Sequence, residues 1–231
     1  RLLDALEDVD DATREEASKA LAELADPATL EALIGACGDE YWTVRAHAGW
    51  GVARIGGPKA VEALIVLFND SIMEVRNDAV AAMVSMGATV VDRLITALKD
   101  ERWRVREHAA KTCGELRDRK TVEALMSVCR DRDGAVKSAV AEALGKIGDP
   151  KAIPVLIKFF RDPSKTVRET AGTALISIGQ PSVDPLIDCL KDKDYVVRCH
   201  AARALGGMTT AYQIGRTWVR DAKVVDVLIA A

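Results

Sequence analysis

Histidine ligates zinc or iron and moves protons near neutral pH. The chain has three histidines, and all sit in near copies of one stretch: "VRAHAGW" from Val44, "VREHAAK" from Val105 and "VRCHAAR" from Val197. The other soft donors are five cysteines, Cys37, Cys113, Cys129, Cys189 and Cys199. Their number is odd and they form no CxxC pair, so neither a disulfide framework nor a thiolate zinc site is indicated. They read as small buried thiols in a reducing cytoplasm. Whether the histidines can share an ion depends on the elements that carry them.

Those elements repeat. Val-Arg or Val-Lys recurs at Val44-Arg45, Val75-Arg76, Val105-Arg106, Val136-Lys137, Val167-Arg168 and Val197-Arg198, in steps of 30 or 31 residues, and Thr13-Arg14 extends the series backward. Six residues before these basic positions stand Asp39, Asp70, Asp100, Asp131, Asp162 and Asp192. A shared period of this length is the mark of a stacked array. Within a unit, "KAIPVLIKFF" (Lys151 to Phe160) reads as a short first helix and "VRETAGTALISIG" (Val167 to Gly179) as a second. Val167, Ala171, Ala174, Leu175 and Ile178 form one apolar stripe at helical spacing. Gly56, Gly87, Gly148 and Gly179 suit left-handed C-caps, and Pro27, Pro58, Pro150 and Pro181 suit the first turn of the next helix.

One helix pair cannot bury its stripe alone, and stacking supplies the missing face. The predicted fold is all-α: an α-solenoid superhelix of about seven antiparallel helix pairs plus a terminal half repeat. The units fall near residues 1–25, 26–56, 57–87, 88–117, 118–148, 149–179 and 180–210, with an inserted loop at 211–220 and a half repeat at 221–231. The apolar face of that half unit predicts further repeats beyond it. The chain does not begin with Met, so both ends read as boundaries within a longer protein.

The unit resembles a HEAT repeat of the short kind also called PBS-lyase HEAT-like. The resemblance rests on the Asp-to-Arg spacing, on "VKSAVAEALGKIGDP" (Val136 to Pro150) and on the "AxPxLIxxxxD" pattern that follows it. It implies fold strongly and function weakly, since such arrays serve many roles. It also implies that Asp39, Arg45, Asp70, Arg76, Asp100, Arg106, Asp162, Arg168, Asp192 and Arg198 form a structural ladder of ion pairs along the inter-helix turns.

Register settles the histidine question. His47, His108 and His200 each follow the repeat Val by three residues, in units two and then three repeats apart. Packed helices are spaced about 8–10 Å, which separates these rings by ~20 Å and ~30 Å. Ligand atoms must lie about 2 Å from an ion, so no metal or other cofactor is expected. Deoxyhypusine hydroxylase resembles this fold and binds two irons through His-Glu pairs, and no His-Glu dipeptide occurs here. DNA-alkylation glycosylases with HEAT-like helices need a basic face. With 32 basic and 35 acidic residues and a net charge of -3, nothing here drives general binding to nucleic acid or anionic membrane. No apolar run approaches the roughly 20 residues that span a bilayer, and no signal peptide is seen.

The resemblance places the second helices along the concave surface. Positions three, six and ten after the repeat Val should point there, opposite the stripe. They include His47, Trp50 and Arg54, then Asp78, then His108 and Lys111, then Arg203. Trp50 is the distinctive member. It reads either as a binding residue or as packing that fills the gap left by Gly49 and Gly51. Trp42, Trp103 and Tyr195 stand two residues before the repeat Val, where packing over the turn is expected. In the inserted segment, Tyr212, Arg216, Trp218 and Arg220 would form either an aromatic-cationic contact surface or a loop packed on itself.

No Gly-rich phosphate loop, no nucleophile with a base at fixed spacing and no separate carboxylate pair occurs. The expected function is a non-catalytic scaffold or adaptor in the cytoplasm that binds a protein or peptide in its groove. The alternatives are a bilin lyase or chaperone-type subunit, and a HEAT module of a larger enzyme or regulator.

Overall fold

The computed structural model describes the backbone of residues 1–213 and the side chains of residues 1–208. Tyr212, Arg216, Trp218 and Arg220 therefore lie outside the described side chains. Among the described residues the chain is helical and contains no strand.

The helices group into two compact units, residues 1–116 and a second that begins at Arg117. The first holds α1 (Leu2–Ala5), α2 (Asp11–Leu24), α3 (Leu30–Ala36), α4 (Trp42–Ile55), α5 (Pro58–Leu67), α6 (Met73–Ser85), α7 (Val91–Ala97) and α8 (Trp103–Leu116). The second holds α9 (Val122–Ser127), α10 (Gly134–Ile147), α11 (Ile153–Phe159), α12 (Lys165–Ile178), α13 (Val183–Cys189) and α14 (Tyr195–Gln213). The helices alternate short and long, as the repeat predicts. In the first unit the long helices α2, α4, α6 and α8 stack in order, and α3, α5 and α7 pack on them. In the second, α10, α12 and α14 stack with α9, α11 and α13 against them. This is the α-solenoid arrangement.

Local chemistry sets the boundaries. Asp26, Asp118 and Asp149 accept hydrogen bonds from Ala28 N, Lys120 N and Lys151 N, and each caps a single 3-10 turn that leads into a short helix. The first helix expected from Lys151 thus begins as a 3-10 turn (Pro150–Ala152) and becomes α-helical at Ile153. After the long helices Gly56, Gly87, Gly148 and Gly179 all take positive φ, but only Gly148 forms the expected left-handed C-cap, at φ 72° and ψ 22°; Gly56 and Gly179 cap with extended ψ, and Gly87 follows the cap residue Met86. Where no glycine is available the same left-handed cap is forced on Ala25, at φ 49° and ψ 39°.

The core is the predicted stripe. Val167, Ala171, Ala174 and Leu175 are buried, while Ile178, at the helix end, is only half-buried. Small residues permit the close stacking. A β-carbon on Gly145 of α10 would lie 2.7 Å from Cα of Ala174 in α12, and one on Gly51 of α4 would lie 3.1 Å from Cα of Ala22 in α2. α14 runs to Gln213, and the expected half repeat at 221–231 lies outside the described residues. No single described helix is long and apolar enough to cross a membrane.

Candidate binding faces and the Arg–Asp ladder

The ladder explains why aspartate precedes the basic residue by six. Each aspartate first shapes its own turn: Oδ1 of Asp39, Asp70, Asp100, Asp131, Asp162 and Asp192 accepts the N–H two residues on, at 2.7–2.9 Å. The arginine six residues later folds back over that turn. Nη1 of Arg45, Arg76, Arg106, Arg168 and Arg198 donates to the carbonyls six and five residues upstream, at 2.6–3.0 Å. The other edge of the guanidinium reaches the next unit. Arg14 Nε donates to Asp39 Oδ2 at 2.9 Å, and Arg45 Nε to Asp70 Oδ2 at 2.6 Å. Lys137 pairs with Asp162 in the same way.

Two rungs differ. Nε of Arg76 and Nε of Arg168 are buried and without partners. The carboxylates they would meet are held by other arginines: Asp100 by a two-pronged bond from Arg102 at 2.9 Å, and Asp192 by Arg161. Both open rungs fall where the period contracts from 31 to 30 residues, between Asp70 and Asp100 and between Asp162 and Asp192.

The ladder carboxyls titrate accordingly. Burial pushes Asp70 up, but the Arg45 bond, the Ile72 amide and the charges of Arg45 and Arg76 outweigh it and hold the group below the ordinary carboxylate value. The Arg102 bond is the main cause lowering Asp100. At Asp192 the amide of Asp194 leads, followed by Arg161. A lowered carboxyl pKa is the sign of a group stabilised in its charged form by the fold.

The predicted lining divides. Position six faces solvent at Ala81, Glu142, Thr173 and Arg203, and position ten at Arg54, Ser85, Glu115 and Ser177. Trp50 and Lys111 are half-buried in the position-six row, and Lys111 Nζ lies 2.7 Å from Glu107. Arg203 approaches Glu169 at 3.7 Å. Trp50 stands between two glycines that face inward: a β-carbon on Gly49 would lie 2.9 Å from Leu67 Cδ1, and one on Gly51 2.9 Å from Leu33 Cδ1.

Position three does not belong to an open face. Asp78 and His47 are half-buried there, and His108 is only 2% exposed. The expectation that His108 lines the groove is therefore corrected. Its ring sits 6.0 Å from that of Phe68, and Nδ1–H donates to Arg104 O at 2.7 Å. His200 stacks on Phe160 in the same way, with centroids 5.5 Å apart. In both cases the phenylalanine caps the short helix of the preceding repeat, forty residues upstream. Burial pushes His108 below the ordinary histidine value, and burial followed by the charges of Arg168 and Arg203 lowers His200. Forty residues before His47 stands Glu7, which supplies no ring, and His47 Nδ1 is buried without a partner.

At the aromatic position two before the repeat Val, Trp42 and Trp103 are 38% and 39% exposed, so the greater part of each is covered, while Tyr195 is 72% exposed. Met73 shares their register and was hidden from an aromatic-only reading of the sequence.

No curated protein matches the chain significantly. The HEAT-repeat family profile matches residues 1–84, 91–176 and 154–231. Solved structures show the same fold at low identity. Kap95 in its complex with Nup1 is 15% identical with a TM-score of 0.65, covering 99% of this chain and 36% of that one; Kap95p is yeast importin-β. The complex of CpcE and CpcF of phycocyanin lyase from Nostoc sp. PCC7120 is 22% identical over 87% of this chain and 94% of that one, with a TM-score of 0.49. Human deoxyhypusine hydroxylase is 21% identical over 90% and 83%, with a TM-score of 0.44. Profile matches spanning nearly the whole chain and its stacked helix pairs agree: the chain belongs to the HEAT-repeat family.

Proposed function

We propose that the chain is a non-catalytic scaffold or adaptor that holds a protein or peptide partner against the outward side of its long helices. Trp50 carries this reading. It stands in a row whose other members are small or polar, and the glycines on either side of it pack inward. A large amphipathic ring at the rim of a packed helix is the side chain most often found at the centre of a binding surface. Within the first unit the outward positions also carry Arg54, Lys111 and Glu115, a mixed charge that favours a partner bearing both signs over a polyanion. Kap95, an array of the same fold, is seen in complex with another protein, Nup1.

The test is affinity capture with the full chain, followed by titration of the recovered partner against the wild type and Trp50→Ala. The reading requires a macromolecular partner whose affinity falls with Trp50→Ala while the helical circular-dichroism signal is kept. Turnover of a small molecule with no partner recovered would overturn it.

A further inference from the structure

A second surface lies on the turns of the first unit and does not depend on the face proposed above. Trp42, Met73 and Trp103 begin α4, α6 and α8 and are 38%, 57% and 39% exposed. The repeat does not need a large apolar residue there, because Gly134 and Lys165 fill the same position in α10 and α12. Val9, in the turn before α2, is 97% exposed. Exposed apolar side chains aligned in this way mark an interaction surface.

Exposed carboxylates outnumber free cations around this row. Glu74 and Glu101 are exposed, and Glu40 has an 86% exposed side chain that only grazes Arg14, at 3.4 Å. Asp8, Asp10 and Asp11 flank Val9. The nearby cations are engaged: Arg102 holds Asp100, and the Arg104 guanidinium lies over the Trp103 ring, 5.0 Å from its centroid. That stack shows a ring face of this row receiving an arginine. Trp42 has Thr43 in place of Arg104, so its own chain supplies no such cation.

The spacing selects the conformation of the occupant. Stacked helices are about 8–10 Å apart. A polyproline-II helix presents the same face every three residues, or about 9 Å, and such helices dock on aromatic-lined surfaces. We propose that the row Trp42–Met73–Trp103 is a docking surface for a basic polyproline-II segment of a partner protein. One apolar residue per turn of the segment meets each unit, and arginine or lysine residues between them meet Glu40, Glu74 and Glu101.

The probe is a fluorescein-labelled twelve-residue peptide repeating Pro-Leu-Arg, titrated into the full chain by anisotropy, with a Pro-Leu-Glu peptide as charge control. Saturable binding of the basic peptide is expected, with none of the acidic one. Affinity should fall by about tenfold or more in Trp42→Ser/Trp103→Ser and in Glu74→Lys/Glu101→Lys. Tyr195→Ser, in the second unit, should leave it unchanged. These positions are exposed, and thermal melts of each variant verify that the fold is intact. Absence of saturable binding, equal binding by the double variants, or loss on Trp50→Ala with retention in Trp42→Ser/Trp103→Ser would overturn the proposal. The last outcome would leave the Trp50 face standing.

Discussion

Arg45 forks onto Asp70 across two units of the array, with Nε 2.6 Å from Oδ2 and Nη2 2.9 Å from Oδ1. Both side chains are nearly buried, at 12% and 7% exposure. One unit further on, Arg76 keeps its bonds to the turn carbonyls but its Nε meets no carboxylate. Arg45→Ala would leave the Asp70 charge buried without its partner, whereas Arg76→Ala removes a guanidinium that lacks that bond. Arg45→Ala is therefore expected to cost at least about 1 kcal/mol more than Arg76→Ala in urea denaturation. Equal losses would mean that the inter-unit bond adds nothing to the turn contacts.

The buried histidine makes stability depend on pH. His108 has a lowered pKa in the fold, so the unfolded chain takes up its proton first as pH falls. Protonation then favours unfolding, and stability contributed by the neutral ring is present above the unfolded pKa near 6.5 and lost below it. The midpoint of urea unfolding should fall between pH 7 and pH 5. His108→Phe, which keeps a ring against Phe68, should flatten that slope. A slope unchanged in the variant would assign the pH dependence elsewhere.

A glycine packed in a long helix and one open in a short helix should respond in opposite directions. Gly145→Ala places a β-carbon 2.7 Å from the Ala174 backbone and is expected to destabilise by about 1–3 kcal/mol. Gly35→Ala meets nothing within 4 Å and should be neutral or stabilising by up to about 1 kcal/mol. Thermal melts of the two variants distinguish a packing effect from a general intolerance of substitution.

The repeat made the helix pairs, the buried stripe and the Asp-to-Arg rungs legible in the sequence, because each recurs at one period. Features that depend on neighbouring units were not. A helical wheel puts position three opposite the stripe, yet His108 is buried because Phe68, forty residues upstream, closes over it. The contraction to 30 residues was visible, but not that Arg102 and Arg161 would take over the carboxylates. Trp42 and Trp103 suggested packing over the turn, and only their exposure, shared with Met73, separates surface from core.

Thiol labelling provides an independent map of burial. Burial pushes Cys37 and Cys129 up to about 12, Cys113 is fully buried, and Cys189 is half-buried and raised by burial first and then by Asp192. Cys199 is exposed. A native-state maleimide reaction at pH 7 should modify Cys199 quickly and the other four slowly. Rapid labelling of Cys113 would show that the stack of α8 on α6 opens readily.

The outward row of the long helices is proposed to bind a partner through Trp50. The most direct measurement is the Kd of the captured partner for the wild type and Trp50→Ala. A loss of about 2 kcal/mol or more, roughly thirtyfold in Kd, is expected with unchanged helical content. An unchanged Kd, or a loss of affinity matched by a loss of fold, would contradict it.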